Sequence, residues 1–343
     1  MHDKDRLAVA VMGAGLIGCY IGGALAAGGG RVTLIGRPTY MDAIRAHGLR
    51  VSDARGRDTL VPVADLALAE SPEAAAGADV VLVTVKSDAT ADAARALAPF
   101  LGAGTPVLSL QNGADNVAAI AAALPEARVF AGMVPFSVAG RGPGHFHQAM
   151  GSPVQIDAAP ALGRLAEVLA AGGLPPVRSA DMAGVLWGKL LVNLNNAINA
   201  LSGKTLAQEF ADRDYRRAWA LSMQEGLGLV KAAGIRPASV LPLPVERMPF
   251  LLSLPNFLYR RIAARQKTTV DRHARSSMAD DLARGRRTEV DHLNGAVVRL
   301  AARLGRKAPV NAKLVELVRA AEAGAPPIPG PALRQTLAAS MRA

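Results

Sequence analysis

The amino-acid sequence predicts an α/β protein whose N-terminal part contains a parallel sheet and whose C-terminal part is all-helical. The chain opens with an apolar strand, a glycine-rich turn, a helix and a second strand. Further apolar runs of strand length follow, and from Asp181 onward the apolar pattern is helical. We therefore expect a Rossmann-type dinucleotide-binding domain over residues 1–180 and a helical domain over residues 181–343.

The opening segment predicts a dinucleotide site. The apolar run over residues 7–12 leads directly into a GxGxxG motif and a helical pattern, and Arg31–Ile35 follows as the next strand. In this setting the first glycine permits a tight turn, the second lets the backbone approach a pyrophosphate, and the third lets helix and strand pack closely. N–H groups at the helix start then bind the phosphates. The residues of the motif are Gly13, Ala14, Gly15, Leu16, Ile17 and Gly18.

The ends of three predicted strands supply the other candidate cofactor residues. After the second strand an NAD enzyme commonly carries an acid, whereas this chain has Arg37, which favours a 2′-phosphate and therefore NADPH. Lys86 and Asn112 follow the runs over residues 79–86 and 106–111, at the edge of the sheet where ligands bind. The alternative interpretations are a loop arginine at position 37 and a simple Asn-Gly turn at position 112.

Residues 182–203 predict one helix that carries groups for a small polar ligand. The helix is apolar on most faces, which indicates burial, yet it contains Lys189 and several asparagines. Because about 100° separates successive residues, Asn193 and Asn196 share a stripe with Lys189, whereas the other asparagines lie off it. Buried ammonium and amide groups need partners, which a ligand would supply. The alternative is a surface lysine beside helix-capping amides.

Two capping boxes predict helix starts at Ser277 and Thr288, the second with Glu289 in its first turn. Ser277 and Glu289 are therefore either simple capping groups or, in addition, ligands, since a helix start with a hydroxyl can bind a carboxylate. The tail after residue 325 is expected to be loosely ordered. Other helices are predicted over residues 206–233, 245–264 and 312–323.

Composition narrows the class of function. A net charge of +11 favours anionic partners, but the chain carries no RNA-binding aromatic motif or zinc finger, so we expect no nucleic-acid partner. The basic segment over residues 260–275 is either a solvated face or a face toward an anionic ligand, such as the cofactor or a partner. Cys19 is the only cysteine, which excludes an intrachain disulfide and fits the cytoplasm. His145 and His147 lack an evident carboxylate or cysteine partner, so no metal site is expected.

The uncharged stretch over residues 7–30 resembles a signal peptide or a membrane helix in its hydropathy alone. Its many glycines disfavour a spanning helix, and the residues before it are not net basic. The glycine-rich turn and buried helix of a dinucleotide-binding domain account for it better. We therefore expect neither a signal nor a membrane partner.

Taken in order, these motifs resemble the ketopantoate reductase (2-dehydropantoate 2-reductase) family over residues 7–320. The block from Ser277 to Glu289, together with the helix carrying Lys189 and Asn193, is the specific part of the resemblance. The resemblance implies a Rossmann domain, a helical domain and a cleft between them. It also implies NADPH-dependent reduction of ketopantoate to pantoate, on the route to pantothenate and coenzyme A. Many such enzymes work as dimers, which keeps a homodimer open without an interface that the sequence identifies.

The resemblance also implies roles for residues. Lys189 matches the catalytic lysine, a general acid that protonates the oxygen of the 2-keto acid, and Glu289 matches the acid that binds the substrate hydroxyl or orients the lysine. Asn193 and Ser277 match substrate-binding residues. Asn112 matches the asparagine between nicotinamide and substrate, and Arg37 and Lys86 match basic contacts to NADPH.

Ala197 departs from the family pattern, which often has a second asparagine eight residues after the lysine. Asn196 is the nearest amide on the same face and is expected to take that role. The departure keeps open a sister reductase that acts on another 2-keto acid or on an imine. An NADPH-binding regulator without turnover is a further alternative, which Lys189 and Glu289 disfavour because a sensor needs neither.

Overall fold

The computed structural model of the protein describes residues 6–149, 151–239, 243–263 and 273–342. The chain divides into two compact units, of which the first ends at Met182 and the second begins at Ala183. Most of the basic segment expected over residues 260–275 lies outside the described residues. Among the described helices, none is long and apolar enough to cross a membrane.

The first unit is built on an eight-stranded sheet in the order β12-β11-β8-β7-β6-β1-β2-β5. The strands of this unit are β1 Ala8–Met12, β2 Arg31–Ile35, β3 Leu49–Asp53, β4 Asp58–Val61, β5 Leu66–Ala69, β6 Val80–Val83, β7 Pro106–Ser109, β8 Arg128–Met133, β9 Val138–Gly140, β10 His145–Gln148, β11 Gln155–Asp157 and β12 Val177–Ser179. Its helices are α1 Leu16–Ala27, α2 Pro38–His47, α3 Thr90–Leu97, α4 Asn116–Ala123 and α5 Gly163–Ala171.

Six of these strands, from β5 to β8 across the sheet, are parallel, and β11 pairs antiparallel to β8. The chain starts in the middle at β1, continues outward through β2, and then returns to the other side of β1 with β6. This reversal of strand order is the switch point at which doubly wound sheets bind dinucleotides. The predicted fold class is therefore confirmed.

Helix α1 packs against the sheet through glycines on its buried face. A β-carbon at Gly22 would lie 2.5 Å from the side chain of Leu34, and one at Gly23 would lie 2.5 Å from that of Val51. Residues Gly18 to Ala26 of the helix are all buried. The uncharged, glycine-rich stretch is thus a core helix that needs small residues in order to lie close to its neighbours.

A second sheet, in the order β4-β3-β10-β9, was not predicted. Its strands are short, and charged residues interrupt them, as in β3 (LRVSD) and β4 (DTLV). Arg50 of β3 and Asp58 of β4 form an ion pair across the two strands. Charged residues of this kind are uncommon in strands, but here they neutralise each other on the exposed face of the sheet. The sequence pattern of apolar runs cannot detect strands of this kind.

The second unit is entirely helical in its described part. Its helices are α6 Met182–Asn193, α7 Asn195–Ser202, α8 Leu206–Ala211, α9 Arg213–Ala232, α10 Met248–Ser253, α11 Asn256–Ala263, α12 Ser277–Ala283, α13 Asn294–Arg303, α14 Pro309–Glu322 and α15 Gly330–Ser340. Three predicted helices are each divided in two. The first breaks at Leu194. The second breaks at Asp212, whose side chain caps α9 by accepting from the N–H of Asp214. The third breaks at residues 254–255, because Pro255 disfavours a helical conformation of the residue before it.

The prediction of a loosely ordered tail is wrong, because α15 packs against α9. Leu333 and Leu337 are fully buried, and Arg334 forms an ion pair with Asp214 at 2.5 Å. The hydroxyl of Tyr215 also donates to the carbonyl of Ile328 at 2.9 Å. The two leucines have helical i,i+4 spacing, which the preceding prolines obscured.

Glu209 is a fully buried acid in α8, and its surroundings favour the neutral form. Its Oε2 accepts from the Asn199 amide at 2.6 Å, and the Asn195 side chain is also within hydrogen-bonding reach. Burial raises the pKa of Glu209 to about 8. Neither its Oε1 nor the Oδ1 of Asn195 has a hydrogen-bond partner among the described residues.

We expect Gly188→Ala to destabilise the protein, because the added methyl group would lie 1.9 Å from the carbonyl oxygen of Ala238. Overpacking of this kind costs about 1–3 kcal/mol or more. Gly228→Ala is the matched control, since Gly228 also lies inside a helix but has no atom within 4 Å of the added position. Calorimetry should show a lower Tm for the first variant and an equal or higher Tm for the second; equal Tm values for both would contradict this packing.

We also expect Glu209 to make stability fall as pH rises. Above its ordinary value of 4.5 the unfolded chain releases the proton, while the folded protein keeps it to about pH 8, so the free energy of unfolding decreases across this window. The slope is at most about 1.4 kcal/mol per pH unit. Urea unfolding from pH 5 to 9 should show this slope in the wild type and lose it in Glu209→Gln, whereas Glu246→Gln, at an exposed site, should retain it. Parallel profiles in all three proteins would disprove the assignment.

Candidate active site

The glycine-rich turn after β1 lies against the end of β6. Gly13 has a φ of +97°, and a β-carbon there would lie 2.6 Å from the backbone nitrogen of Val85. At Gly18 a β-carbon would lie 2.6 Å from the hydroxyl oxygen of Thr84. At Gly15 the nearest atom of the described residues beyond its chain neighbours is the carbonyl oxygen of Gly13, 3.9 Å from the added β-carbon, so this side of the turn is open. The outer glycines therefore serve packing, and the middle one leaves room for a ligand.

Backbone hydrogen bonds fix the shape of the same turn. The N–H groups of Gly13 and Ala14 both donate to the carbonyl of Ile35, at 3.0 and 2.9 Å. Helix α1 then begins at Leu16, without a side-chain cap and without an acid in its first turn. The first N–H groups of a helix have no acceptor within it and attract anions. The residues present thus fit the pyrophosphate of a dinucleotide.

Arg37 lies at the carboxyl end of β2, close to this turn along the backbone. A β-carbon at the preceding Gly36 would lie 2.9 Å from the carbonyl oxygen of Ala14, so the two loops are in contact. The Arg37 side chain is exposed, with its guanidinium 5.8 Å from the ring centroid of Tyr40. An exposed guanidinium at this position can reach a phosphate on the adenosine ribose.

Lys86 and Asn112 follow the neighbouring strands β6 and β7, and their loops are joined. The hydroxyl of Ser87 donates to the carbonyl of Asn112 at 3.0 Å, and the Asn116 amide donates to the same oxygen at 2.6 Å. Gln111 donates to the carbonyl of Val85 at 3.0 Å. The Lys86 side chain is exposed and that of Asn112 is half-buried. The structure thus brings together two residues that the sequence placed on separate strands.

The residues that join these two loops were not singled out by the sequence. Ser87, Gln111 and Asn116 are all buried polar residues. Gln111 also donates to the hydroxyl of Thr90 at 2.6 Å. Polar residues directly after a buried strand were the available signal, because such groups are hydrogen-bonded when they are buried.

Lys189 projects from α6 and is half-buried. Its ammonium group forms no hydrogen bond or ion pair with another residue in the part of the chain that the structure describes, and burial lowers the pKa of this group. The adjacent Gly188 lies against the backbone of Ala238, whose N–H donates to the carbonyl of Gly184 at 2.8 Å. A close backbone contact therefore holds the helix at the position of the lysine.

The asparagines of this region fall into two pairs. Asn193 and Asn196 are half-buried, like Lys189, whereas Asn195 and Asn199 are buried. The single helix predicted here is two helices, but the turn at residue 194 keeps right-handed helical dihedral angles, with φ −56° and ψ −21°. The rotation from one helix to the next is therefore nearly continuous.

Ala197 is fully buried in α7. The position at which the family often carries a second asparagine therefore belongs to the core in this protein. The exposure of Asn196 agrees with its use as the replacement amide, which stays a prediction.

Ser276, and not Ser277, is the N-cap of α12. Its hydroxyl accepts from the N–H of Ala279 at 3.2 Å and donates to the carbonyl of Asn196 at 3.2 Å. The cap predicted at Ser277 is wrong by one residue, because the preceding serine has the extended backbone that a cap requires. Ser277 becomes the first helical residue and its side chain is exposed. Ser277 therefore follows directly after Ser276, whose hydroxyl donates to the backbone carbonyl of Asn196.

The second predicted capping box is also wrong, because helix α13 begins only at Asn294. The backbone N–H and the hydroxyl of Thr288 both bind the Glu322 carboxylate, at 2.8 and 2.7 Å, and this contact replaces the expected cap. Glu289 is half-buried and lies in a series of turns, where its carbonyl accepts from the N–H groups of His292 and Leu293.

His145 and His147 lie on one face of β10 and share a partner. A ring nitrogen of each is 2.8 Å from the hydroxyl oxygen of Ser52. Within the described ranges, no three His, Cys, Asp or Glu side chains are grouped in a way that could hold a metal ion. The pair is thus part of the packing of the smaller sheet.

Family models match both halves of the chain. The model described as "Ketopantoate reductase PanE/ApbA" matches residues 9–161, and "Ketopantoate reductase PanE/ApbA C terminal" matches residues 181–322. The chain is similar to 2-dehydropantoate 2-reductase from Halobacterium salinarum, at 36% identity over 92% of this chain and 98% of the relative.

Solved structures show the same likeness. A PanE/ApbA family ketopantoate reductase from Ralstonia eutropha JMP134 has a TM-score of 0.78 and 35% identity, over 92% of this chain and 98% of that chain. D-mandelate dehydrogenase, solved with NADH and anilino(oxo)acetate, shares the fold at a TM-score of 0.75 and 21% identity, with 92% and 98% covered. With both halves matched and a relative covered almost in full, the chain belongs to the ketopantoate reductase family.

Proposed function

We propose that this protein reduces ketopantoate to pantoate, with NADPH as the reductant. The observation that carries the proposal is Lys189, a half-buried ammonium group with a lowered pKa and no partner among the residues described here. A desolvated lysine without a counter-ion is suited to act on an oxygen that gains negative charge. The 36% identity to 2-dehydropantoate 2-reductase from Halobacterium salinarum supports ketopantoate as the substrate.

The first unit is proposed to bind the cofactor. The turn from Gly13 to Gly18 takes the pyrophosphate, and Arg37 takes the 2′-phosphate of the adenosine ribose. Residues 35–38 contain no acid that would bind a free 2′-hydroxyl, which favours NADPH over NADH. Lys86 adds positive charge, and Asn112 is proposed to lie between the nicotinamide and the substrate.

The second unit is proposed to bind the keto acid and complete the reaction. NADPH, when bound, supplies the hydride that reduces the carbonyl carbon. Lys189 stabilises the negative charge that develops on the carbonyl oxygen and transfers its proton to that oxygen, which yields the alcohol. Burial lowers the pKa of this ammonium group, so it transfers its proton more readily than a solvated lysine does.

The remaining polar residues are proposed to orient the substrate. Asn193 and Asn196 donate amide N–H groups to its oxygens, and the hydroxyl of Ser277 binds its carboxylate or a hydroxyl. Glu289 accepts from the substrate hydroxyl or orients the ammonium of Lys189. We also propose a cytoplasmic homodimer, as the resemblance to the family implies; light scattering tests the dimer.

A sister reductase that acts on another 2-keto acid is the second candidate. Ala197 favours it, because the position that often carries a substrate-binding amide is a fully buried alanine here. Rates on a panel of branched and aromatic 2-keto acids, measured beside ketopantoate, separate the two. A higher kcat/KM for another acid would replace the substrate and leave the reaction type unchanged.

We expect Lys189→Met to lower kcat by about 10²- to 10³-fold, the usual effect of removing one group that stabilises developing charge. Lys231→Met, on the exposed face of α9, is the matched control and should keep wild-type turnover. Ketopantoate reduction is followed by loss of NADPH absorbance, and circular dichroism confirms folding. Near-normal turnover in a folded Lys189→Met variant would refute the role of this lysine.

We expect Arg37→Ala to raise the KM for NADPH by roughly 10- to 100-fold, because a hydrogen bond between charged groups contributes about 1.5–3 kcal/mol. The KM for NADH should stay unchanged, since NADH lacks the 2′-phosphate. Arg31→Ala removes a similar exposed charge from the opposite end of β2 and should alter neither constant. A parallel rise for both cofactors in Arg37→Ala would count against recognition of the phosphate.

A further inference from the structure

We propose that Asn199 is a positioning residue for the keto acid, because its amide fixes the start of α12 and thereby the location of Ser277. The inference rests on the proposed function, which places the substrate at Ser277. Asn199 lies in α7, is fully buried and does not itself reach a surface where a substrate could bind.

The Asn199 amide joins three segments of chain. Its Oδ1 accepts from the N–H of Ser276 at 2.8 Å, and its Nδ2 donates to the carbonyl of Lys204 at 3.1 Å and to Glu209 at 2.6 Å. The amide nitrogen therefore donates to two acceptors, the Lys204 carbonyl and the Glu209 carboxyl group, and the amide oxygen accepts from the N–H of Ser276. This arrangement fixes the orientation of the amide without ambiguity.

The segment before α12 is held to the same region by two more hydrogen bonds. The N–H of Leu206 donates to the carbonyl of Ala274 at 2.9 Å, and the Arg275 guanidinium donates to the carbonyl of Gly203 at 3.1 Å. Of these three hydrogen bonds, the one from the N–H of Ser276 to Asn199 involves a fully buried side chain, so it is protected from water. It acts directly on Ser276, the residue before Ser277.

The hydrogen bonds of Ser276 connect the start of α12 to two residues of α7, Asn196 and Asn199. Its N–H is held by Asn199, and its hydroxyl donates to the carbonyl of Asn196 and caps the N–H of Ala279. Two proposed substrate residues, Asn196 and Ser277, are therefore set relative to each other by one buried amide and one capping serine. Displacement of the helix start would therefore change the position of Ser277 relative to Asn196.

Glu209 keeps Asn199 in its working orientation. The acid is fully buried on α8, and its Oε2 accepts from the Asn199 amide nitrogen at 2.6 Å. An amide rotated by 180° would point its oxygen at the Glu209 carboxyl group and at the carbonyl of Lys204, and its hydrogens at the N–H of Ser276. That arrangement loses the acceptor for Ser276 and is disfavoured in a buried site.

The test compares Asn199→Leu with Asn311→Leu. Asn311 is equally buried and hydrogen-bonded, to Ser222 and Glu225, but it contacts no residue of α12 through those bonds. Both variants should be destabilised. Only Asn199→Leu should raise the KM for ketopantoate, by about tenfold, the change expected for loss of one hydrogen bond. Its kcat and its KM for NADPH should stay within about threefold, because Lys189 and the first unit are untouched.

A second variant keeps the proposal testable if Asn199→Leu folds poorly. Asn199→Asp removes the donors but keeps an acceptor for the N–H of Ser276 in either orientation, because both carboxylate oxygens accept, so its KM for ketopantoate should stay near the wild-type value while its Tm falls. An equal rise of KM in both Asn199 variants, or in Asn311→Leu, would assign the effect to general destabilisation and overturn the proposal.

Failure of the proposed function gives a different result. If the wild type reduces another 2-keto acid faster than ketopantoate, the substrate is corrected, and the same variants are compared on that acid. An unchanged KM for the preferred acid in folded Asn199→Leu overturns the positioning role alone. Hydrogen exchange at the amide of Ser276 provides a readout that needs no turnover, and unchanged protection in Asn199→Leu would also overturn it.

Discussion

Close contact of backbone with backbone is the constraint on which both halves of the proposed site depend. At Gly13 the turn after β1 lies against the nitrogen of Val85, and at Gly188 helix α6 lies against the carbonyl of Ala238. Any side chain at either position would separate the two segments. The candidate phosphate site and Lys189 are each next to such a contact, so their positions depend on these close approaches together with the backbone hydrogen bonds beside them.

The asparagines of helices α6 and α7 divide into a buried pair and a half-buried pair. Asn195 and Asn199 are buried, and Asn199 is saturated with protein partners, whereas Asn193 and Asn196 are half-buried. The buried Asn199 amide is satisfied by the protein itself, whereas a partly exposed amide can exchange water for a ligand. One short stretch of sequence therefore supplies both a hydrogen-bonded framework and candidate substrate contacts.

The sequence predicted the features that depend on local pattern. The motif from Gly13 to Gly18, the strands around it and the stripe that carries Lys189 all follow from periodicity and spacing. Features set by tertiary contacts were missed or misplaced. Glu322 replaces the cap expected at Thr288, and Asn199 holds the backbone at Ser276, so the helix cap falls one residue earlier than predicted. Neither partner is near in sequence, and no local rule identifies them.

Lys189 and Glu209 show how one physical cause leads to different roles. Burial disfavours the charged form of each, so it lowers the pKa of the lysine and raises that of the acid to about 8. Glu209 is fully buried and accepts a hydrogen bond from the Asn199 amide. Lys189 keeps part of its surface accessible and is bound to no described residue. The same desolvation therefore favours a bound proton at Glu209 and a more readily released proton at Lys189, which is the property that its proposed role as a general acid requires.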